Sequence, residues 1–535
     1  MKRADSISAR IYGTTLRIMM LVLAGAFAMA LHAEHLVLLT TNDTHSNIDT
    51  DRNGVGGILP RMAVIDSVRK AEKNVLLIDA GDAVQGTLYF KYFHGDVEYP
   101  LFNMMKYDIR ILGNHEFDNG IDQLARYWKG VKADRLSANY DFSRTPAAGL
   151  FKPYVIKKIG RRKIGFIGIN VNPASLISKA NTGDMGFTPA IASANKWADY
   201  LKNREHCDLV VAVSHIGYKT DPDKEDDVRM AQQSRNIDLI IGGHSHTFVD
   251  PGHPDATPCW ISNADGKPVL VTQTGKYGRN VGYINIDLDR LADRKFVYEY
   301  IPVTDRFSPS AYNKEIIDFL APYRAKVDSV NQVEVGYSLA ACRNGVATGA
   351  LANWTADMGM WVGMQIADSL RSVGREIPAV DFALMNVGGI RQPMPEGVVS
   401  EGLILSMFPF SNRMMLISIK GSDLIKTFGI VAPKGGESVS DEIRVLTDAD
   451  GKMTGVTVNG NAMDPDREYT VLTIDYIAEG NDDMTPMANH EKLWVDSQEL
   501  GCRVLQYMAH TARMGIPVSP DTAPRFLRDY RTLKQ

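Results

Sequence analysis

The chain has 535 residues, 44% hydrophobic and 23% charged, with a formal net charge of −4. That length and apolar content are enough for two separate cores, and the nearly balanced charge excludes the broad basic surface that a duplex nucleic-acid binder needs. The first segment carries Lys2, Arg3, Arg10 and Arg17, then an apolar run over residues 18–31 followed by small residues. The run is shorter than the ~20 residues that span a bilayer, and the order basic, apolar, small is the layout of a secretory signal peptide. Residues 1–33 are therefore expected to be removed, by cleavage after Ala30 or, leaving the first strand whole, after Ala33. The mature protein would be exported, to a periplasm or to the cell surface and beyond. No Cys follows the run and no second apolar stretch lies near the C-terminus, so no stable membrane anchor is expected after cleavage.

From residue 34 onward, short apolar runs of strand character stop on Asp, Asn or His. HLVLLTTNDTH ends at Asp43 and His45, NVLLIDAGD at Asp82, and DIRILGNHEFD at Asn114, His115 and Asp118. CDLVVAVSH ends at His215, IDLIIGGHSH at His244 and His246, and PVLVTQTG closes the series. In a mainly parallel layered sheet the carboxyl ends of the strands share one edge, so these side chains converge on one crevice. Each alone reads as a turn residue or helix cap. Together they place five of the chain's 12 histidines in such clusters.

Imidazole and carboxylate without thiolate suit zinc and other transition metals. Asp43, His45, Asp82, Asn114, His215, His244 and His246 make seven candidate ligands, more than one four-coordinate ion uses. Two divalent ions sharing a carboxylate would use them all, and paired ions serve in-line displacement at phosphorus. The ligand types fit Zn, Mn, Co or Fe without choosing among them.

Residues 307–332 read as a linker: a Ser and Pro cap signal, then Ile316, Ile317, Leu320, Tyr323 and Val327 at helical spacing, with Pro322 expected to kink or split the helix. This gives a domain over residues 34–306 and a second over 333–535. Cys207 and Cys259 fall in the first, Cys342 and Cys502 in the second. In an oxidising compartment one bridge within each domain is the simplest of three connectivities, with free buried thiols as the alternative.

The blocks NDTHSN (42–47), GDAVQG (81–86), GNHEFDNG (113–120), SHIG (214–217) and GGHSHT (242–247) resemble the five signature blocks of the calcineurin-like metallophosphoesterases. With an acid three residues after the His of GNHEFD, they are most similar to the secreted or periplasmic 5'-nucleotidase branch, which also includes UDP-sugar hydrolases and 2',3'-cyclic phosphodiesterases. The resemblance runs from about Glu34 to the C-terminus. It implies an α/β protein with a four-layer α/β/β/α metallophosphoesterase domain and a C-terminal α/β nucleotide-recognition domain, joined by a hinge helix. It also implies that Asp43, His45, Asp82 and His246 hold one ion, and that Asp82 bridges to a second held by Asn114, His215 and His244. His115 would donate toward the phosphoryl group and leaving oxygen, with Asp118 fixing its tautomer.

In the C-terminal half, NVGGIRQ (386–392), FPFSN (408–412) and YIAEGNDD (476–483) look like the nucleotide-recognition blocks of that family. A base needs rings on its flat faces and an amide or hydroxyl at its edge. The resemblance places Phe410 and Tyr476 on the two faces, Asn386 and Asn412 at the base, Asp482 at the ribose hydroxyls and Arg391 at the phosphate or ribose. Two departures concern substrate range. GNDD stands where many relatives carry GGDG. Where relatives place an arginine or a pair of them shortly before the Gly-Asn-Leu start of the domain, this chain reads AACRNGVATGALANW, with Arg343 nearby but out of register, which leaves fewer bidentate anion contacts. The implied reaction is hydrolysis of nucleoside 5'-monophosphates, with UDP-sugars and other nucleotides as further substrates. The partners are small-molecule nucleotides rather than a nucleic-acid polymer. The alternatives are a 2',3'-cyclic-nucleotide phosphodiesterase with 3'-nucleotidase activity, a hydrolase like the thiosulfate-oxidising enzymes, and a surface nucleotide-binding or adhesion protein with little turnover.

Overall fold

The computed structural model describes residues 34–528 except 175, 295, 307–311 and 520. The expected signal segment, residues 1–33, and the Ser–Pro cap signal of the linker lie outside the described residues.

The N-terminal domain is built on β1 (His35–Thr41), β2 (Val75–Asp79), β3 (Ile109–Ile111), β4 (Asp134–Leu136), β5 (Tyr154–Ile159), β6 (Arg162–Asn170), β7 (Leu209–His215), β8 (Leu239–Ile241), β9 (Trp260–Ser262), β10 (Pro268–Thr272), β11 (Asn280–Asp287) and β12 (Val297–Pro302). They form two six-stranded sheets, in the orders β12-β11-β1-β2-β3-β4 and β9-β10-β8-β7-β6-β5. In the first, β1 to β4 are parallel; in the second, β6, β7, β8 and β10 are parallel.

The period-two alternation of strands sorts the side chains into layers. Leu36, Leu38, Leu76 and Ile78 join Ile164, Phe166 and Val211 in the core between the sheets. Val37, Leu39 and Leu77 point the other way, onto Ile58, Met62 and Ile65 of α1 (Ile58–Ala71). On the far side, α3 (Ala190–Asn203) packs Ala194, Ala198 and Leu201 against the second sheet, while α2 (Leu88–Phe93) stands with α1 over the first. This gives the four layers expected, helix, sheet, sheet, helix.

The linker forms one helix, α4 (Lys314–Asn331), capped by the Asn313 side chain, which accepts from the N–H groups of Glu315 and Ile316. Pro322 lies inside it without splitting it. A mid-helix proline removes a backbone hydrogen bond, but Ile316 and Leu320 before it and Val327 and Val330 after it are buried in the same core as α1 and β1. That shared burial holds both halves in one element.

The C-terminal domain centres on β13 (Phe382–Met385), β14 (Arg413–Lys420), β15 (Ser438–Val439), β16 (Glu468–Ile474) and β17 (His490–Glu499), in the order β15-β13-β16-β14-β17. Its long helix α5 (Ala350–Ser372) lies close on the sheet through Gly359 and Gly363, where a Cβ would stand 3.3 and 3.1 Å from Leu472. Because β13 and β16 are parallel and β14 is antiparallel to β16, the segments after β13 and β16 and before β14 emerge on one edge. Those are the segments carrying Asn386, Tyr476 with Asp482, and Phe410 with Asn412. Beside the linker, α6 (Glu401–Met407) inserts Leu405 into the N-terminal core, and a Cβ on its Gly402 would collide with Asn331 of α4.

All four cysteines are free, with Cys207, Cys259 and Cys342 buried. The expected pairing of Cys207 with Cys259 does not occur. Cys207 precedes β7 and Cys259 precedes β9, with β8 and β10 between these strands, and three inter-strand steps of about 4.8 Å exceed the ~7 Å Cα limit of a disulfide. Cys342 is buried beside Met394, while Cys502 is exposed.

Candidate active site

The parallel strands of both sheets deliver their carboxyl ends to one crevice, as the sequence pattern requires. Asp43, His45, Asp82 and His215 are fully or almost fully buried there, Asn114 is 8% exposed, and His244 and His246 are partly buried. Ligand-forming atoms of Asp43, His45 and His246 lie within 4.8 Å of one another, as do those of Asp82, His215 and His244. The Oδ1 of Asn114 is 2.9 Å from Nδ1 of His244, which adds it to the second group. His45 and Asp82, with His115, form a third overlapping group that links the two.

The loops reach this geometry through unusual backbone. Asp43, His45, Asp82, His244 and His246 have φ of 49°, 45°, 53°, 79° and 56°, a left-handed conformation uncommon outside glycine and concentrated at functional sites. Glycine serves where two loops touch: a Cβ on Gly113 would stand 2.1 Å from Oδ1 of Asp82.

The donor set fits divalent cations. Nδ1 of His215 sits 2.6 Å from the Ala80 carbonyl and so carries the proton, leaving Nε2 free; that atom is buried, 3.1 Å from Oδ2 of Asp82 and without hydrogen-bond geometry. Nδ1 of His45 is likewise buried without a partner, while its Nε2 faces Nε2 of His246 at 2.9 Å. Burial pushes the imidazoles of His244 and His246 down to about 3, into the neutral form that ligates metal. Burial also pushes the Asp43 carboxyl up to about 7, against the pull of His215. Burial lowers the pKa of the His215 imidazole, but Asp82 and Asp43 outweigh it and push it up to about 10. The carboxylates thus draw positive charge to this point of the crevice, which is the charge an ion would supply.

His115 stands beside this group with Nδ1 3.0 Å from Oδ2 of Asp118 and its backbone N–H donated to Oδ1 of Asp82. Burial alone would lower its pKa, but Asp118 and then Asp82 outweigh burial and raise it. The Asp118 contact assigns the proton to Nδ1 and leaves Nε2 as the other ring nitrogen of a side chain that borders open space.

That space is a cavity of about 620 Å³ between the domains. Asn114, His115 and Asp118 line it from one domain, and Asn386, Arg391, Phe410, Asn412, Tyr476 and Asp482 from the other. Asp482 accepts from the Tyr476 hydroxyl at 2.9 Å and from the Asn386 amide at 3.1 Å, which fixes its carboxylate at the cavity wall. The Phe410 ring lies 5.8 Å from the His115 ring, and the Arg391 guanidinium lies 5.8 Å from the Phe410 centroid. All thirteen metal-site and nucleotide-site residues singled out from sequence, together with the pair His115 and Asp118, therefore surround one crevice and the cavity above it.

Several supporting residues were not singled out from sequence, although Glu116 and Asn42 lie inside the motif blocks. Glu116, inside the GNHEFD block, accepts from the N–H groups of Gly113 at 2.6 Å, Ala83 at 2.9 Å and Asp82 at 3.1 Å, tying two site loops together. Asn42 donates to Asp43 at 2.6 Å and to Gly275 at 2.7 Å, and the amide of Gln273 donates to Gly243 at 2.6 Å. Leu176, Ile177 and Ser178, from the loop after β6, form a further cavity wall. Glu116 could have been sought as the acid between two functional residues; the loop residues offer no chemical signal.

Comparison with known proteins agrees with this geometry. The calcineurin-like phosphoesterase family model matches residues 36–248, and the 5'-nucleotidase, C-terminal domain model matches residues 329–490. Human 5'-nucleotidase is 27% identical over 466 residues, 80% of this chain and 77% of that protein. The snake venom 5'-nucleotidase of Naja atra is 27% identical over 503 residues, 84% of this chain and 90% of that protein. The crystal structure of a 5'-nucleotidase precursor from Thermus thermophilus superposes with a TM-score of 0.77 at 26% identity, covering 92% of this chain and 99% of that one. With both domains matched in order and the crevice residues in the matched blocks, the chain is a hydrolase belonging to the 5'-nucleotidase family of calcineurin-like phosphoesterases.

Proposed function

We propose that this enzyme hydrolyses nucleoside 5'-monophosphates to nucleoside and phosphate, outside the cytoplasm, for recovery of nucleosides and phosphate. The observation that carries the reading is the single cavity in which His115 and Asp118 face Phe410, Tyr476 and Asp482. A site for bare phosphoesters needs no paired rings and fixed carboxylate beyond its acid–base group.

In this reading Asp43, His45, Asp82 and His246 hold one divalent ion, and Asp82, Asn114, His215 and His244 hold the other. When bound, the two ions supply positive charge against the phosphoryl oxygens and activate water at neutral pH. The chain's own residues do the rest. Asp118 holds Nδ1–H of His115, so that Nε2 presents a hydrogen bond or proton to the phosphoryl group and the departing ribose oxygen. Arg391 reaches toward the same end of the cavity; its charge is felt by His45, His115 and His246 of the other domain. Phe410 and Tyr476 take the base between them, Asn386 and Asn412 read its edge, and Asp482, oriented by Tyr476 and Asn386, accepts from the ribose hydroxyls.

The domain limits 34–306, 307–332 and 333–535 go with this division of labour, the first unit carrying chemistry and the last carrying recognition. Export rests on the N-terminal segment; among the described residues, no helix is long and apolar enough to cross a membrane. UDP-sugars and other nucleotides are included as further substrates. The test is phosphate release from AMP with added Mn or Zn, after chelation, and with His115→Ala. Metal-dependent release that falls about 10²- to 10⁴-fold in the variant is expected. No release from AMP or any other nucleoside 5'-monophosphate with any of these metals would refute the reading.

A further inference from the structure

The GNDD departure has a structural counterpart. The amide of Asn481, which is buried, donates to the Tyr476 carbonyl at 2.9 Å. Asp483 turns the other way: its Oδ2 accepts from Lys434 of the same domain at 2.6 Å and from Lys224 of the N-terminal domain at 3.0 Å. Lys224 is also 3.6 Å from Asp221, its neighbour in the loop after β7.

Among the described residues, and apart from the His115–Phe410 ring contact at the crevice itself, two places each carry a group of cross-domain contacts. One lies beside the linker, where Lys91 of α2 pairs with Glu499 and Leu405 of α6 enters the core beneath α2 and α4. The other joins loops of the second sheet to the segment that carries Tyr476 and Asp482: Ser178 donates to Glu479 at 2.8 Å, and Lys224 meets Asp483. The first group rises from helices over one sheet and the second from loops of the other, with the metal crevice between them. A rotation about the linker would leave the first group close to its axis and separate the second.

We propose that Lys224, Asp483 and Lys434 form a cross-domain positioning contact that sets nucleoside affinity, by holding the Tyr476–Asp482 wall at a fixed reach from His115. The inference rests on the nucleotidase reading. It assigns Asp483 no contact with substrate; it acts through Asp482, its chain neighbour, and both have left-handed backbone, φ 55° and 65°. All three side chains are partly exposed, at 46% for Lys224, 32% for Asp483 and 44% for Lys434. The contact is therefore screened by salt.

The test compares the metal-loaded parent with Lys224→Met, Asp483→Asn and the double variant, at about 0.05 M and 0.5 M NaCl. AMP and p-nitrophenyl phosphate serve as substrates, and small-angle scattering follows the domain arrangement. Each single variant should raise KM for AMP about 2- to 5-fold, the range of exposed ion pairs. It should leave kcat and aryl phosphate turnover near the parent values. The double variant should be no worse than the worse single, the salt dependence of the parent's KM should be lost, and the radius of gyration should rise at low salt. A Lys224→Met protein with parental KM and parental scattering would overturn the proposal, as would additive effects in the double variant. A parent that cleaves the aryl ester but not AMP would refute the nucleotidase reading instead, and scattering would still decide the contact.

Discussion

Gly113 offers a sharp test of how the site loops fit together, because its backbone is not left-handed and only space forbids a side chain there. The Cβ of Gly113→Ala would stand 2.1 Å from Oδ1 of Asp82 and 2.6 Å from its backbone nitrogen. Ordinary contact begins near 3.4 Å, so the Asp82 carboxylate must retreat by about 1 Å, a displacement that costs about 10²-fold in rate when it falls on a catalytic constellation. Retreat also strains the Asp82 contacts to the His115 N–H at 2.9 Å and to Glu116, which itself binds the Gly113 N–H at 2.6 Å. We expect kcat/KM for AMP to fall at least about 10²-fold, with weakened retention of metal through dialysis. Gly429→Ala is the matched control, since its nearest neighbour would be Met453 at 3.9 Å on a helix surface. A Gly113→Ala enzyme within about threefold of the parent, folded and fully metal-loaded, would refute the claim that the two loops are packed to this tolerance.

Phe410→Ala should raise KM for every nucleoside monophosphate by about 5- to 150-fold, the equivalent of ~1–3 kcal/mol of stacking. It should spare p-nitrophenyl phosphate; steady-state kinetics over several bases decides it. Glu116→Gln replaces an acceptor of three N–H groups with a side chain that has one acceptor oxygen and a donor, and should reduce kcat and metal retention together, read by turnover and metal analysis. Chelation should lower the melting temperature, since Asp43 and Asp82 lose their counter-charge; an unchanged melting curve after verified metal loss would contradict the ligand assignment. Glu98 is fully buried, and burial pushes its carboxyl from 4.5 up to about 7. Between those values the unfolded chain has released a proton that the folded protein keeps, so stability contributed at low pH declines as pH rises through this window and is flat above it. Glu98→Gln should remove that decline and stabilise the protein at pH 8 by up to about 3 kcal/mol, measured by denaturant unfolding across the pH range.

The site was legible in the sequence because its signals are local. A strand ending on Asp or His places that side chain at a sheet edge whatever the rest of the fold does, and ligand chemistry restricts the residue types. The buried strands followed from short apolar runs such as LVLL and VLLID, and the four layers from the resemblance that the motif blocks carry. What was not legible depends on contacts between distant segments. The reduced state of Cys207 and Cys259 is decided by the strand order of the second sheet, and the continuity of α4 through Pro322 by a core that buries both its halves. The triple acceptor role of Glu116 follows from two loops meeting, and Asp483 acquires its meaning only from a lysine 259 positions away. Leu176 and Ile177 line the cavity without any chemical character that would single them out.

The left-handed backbone at Asp43, His45, Asp82, His244 and His246 bears on how this chain can drift. Each such residue is disfavoured by roughly 1–2 kcal/mol relative to glycine in the same conformation. Relaxed selection would therefore let these positions move toward glycine or asparagine, with catalysis lost as the fold grew more robust. A copy of this gene released from its task would erode first at its metal crevice and last in its sheets.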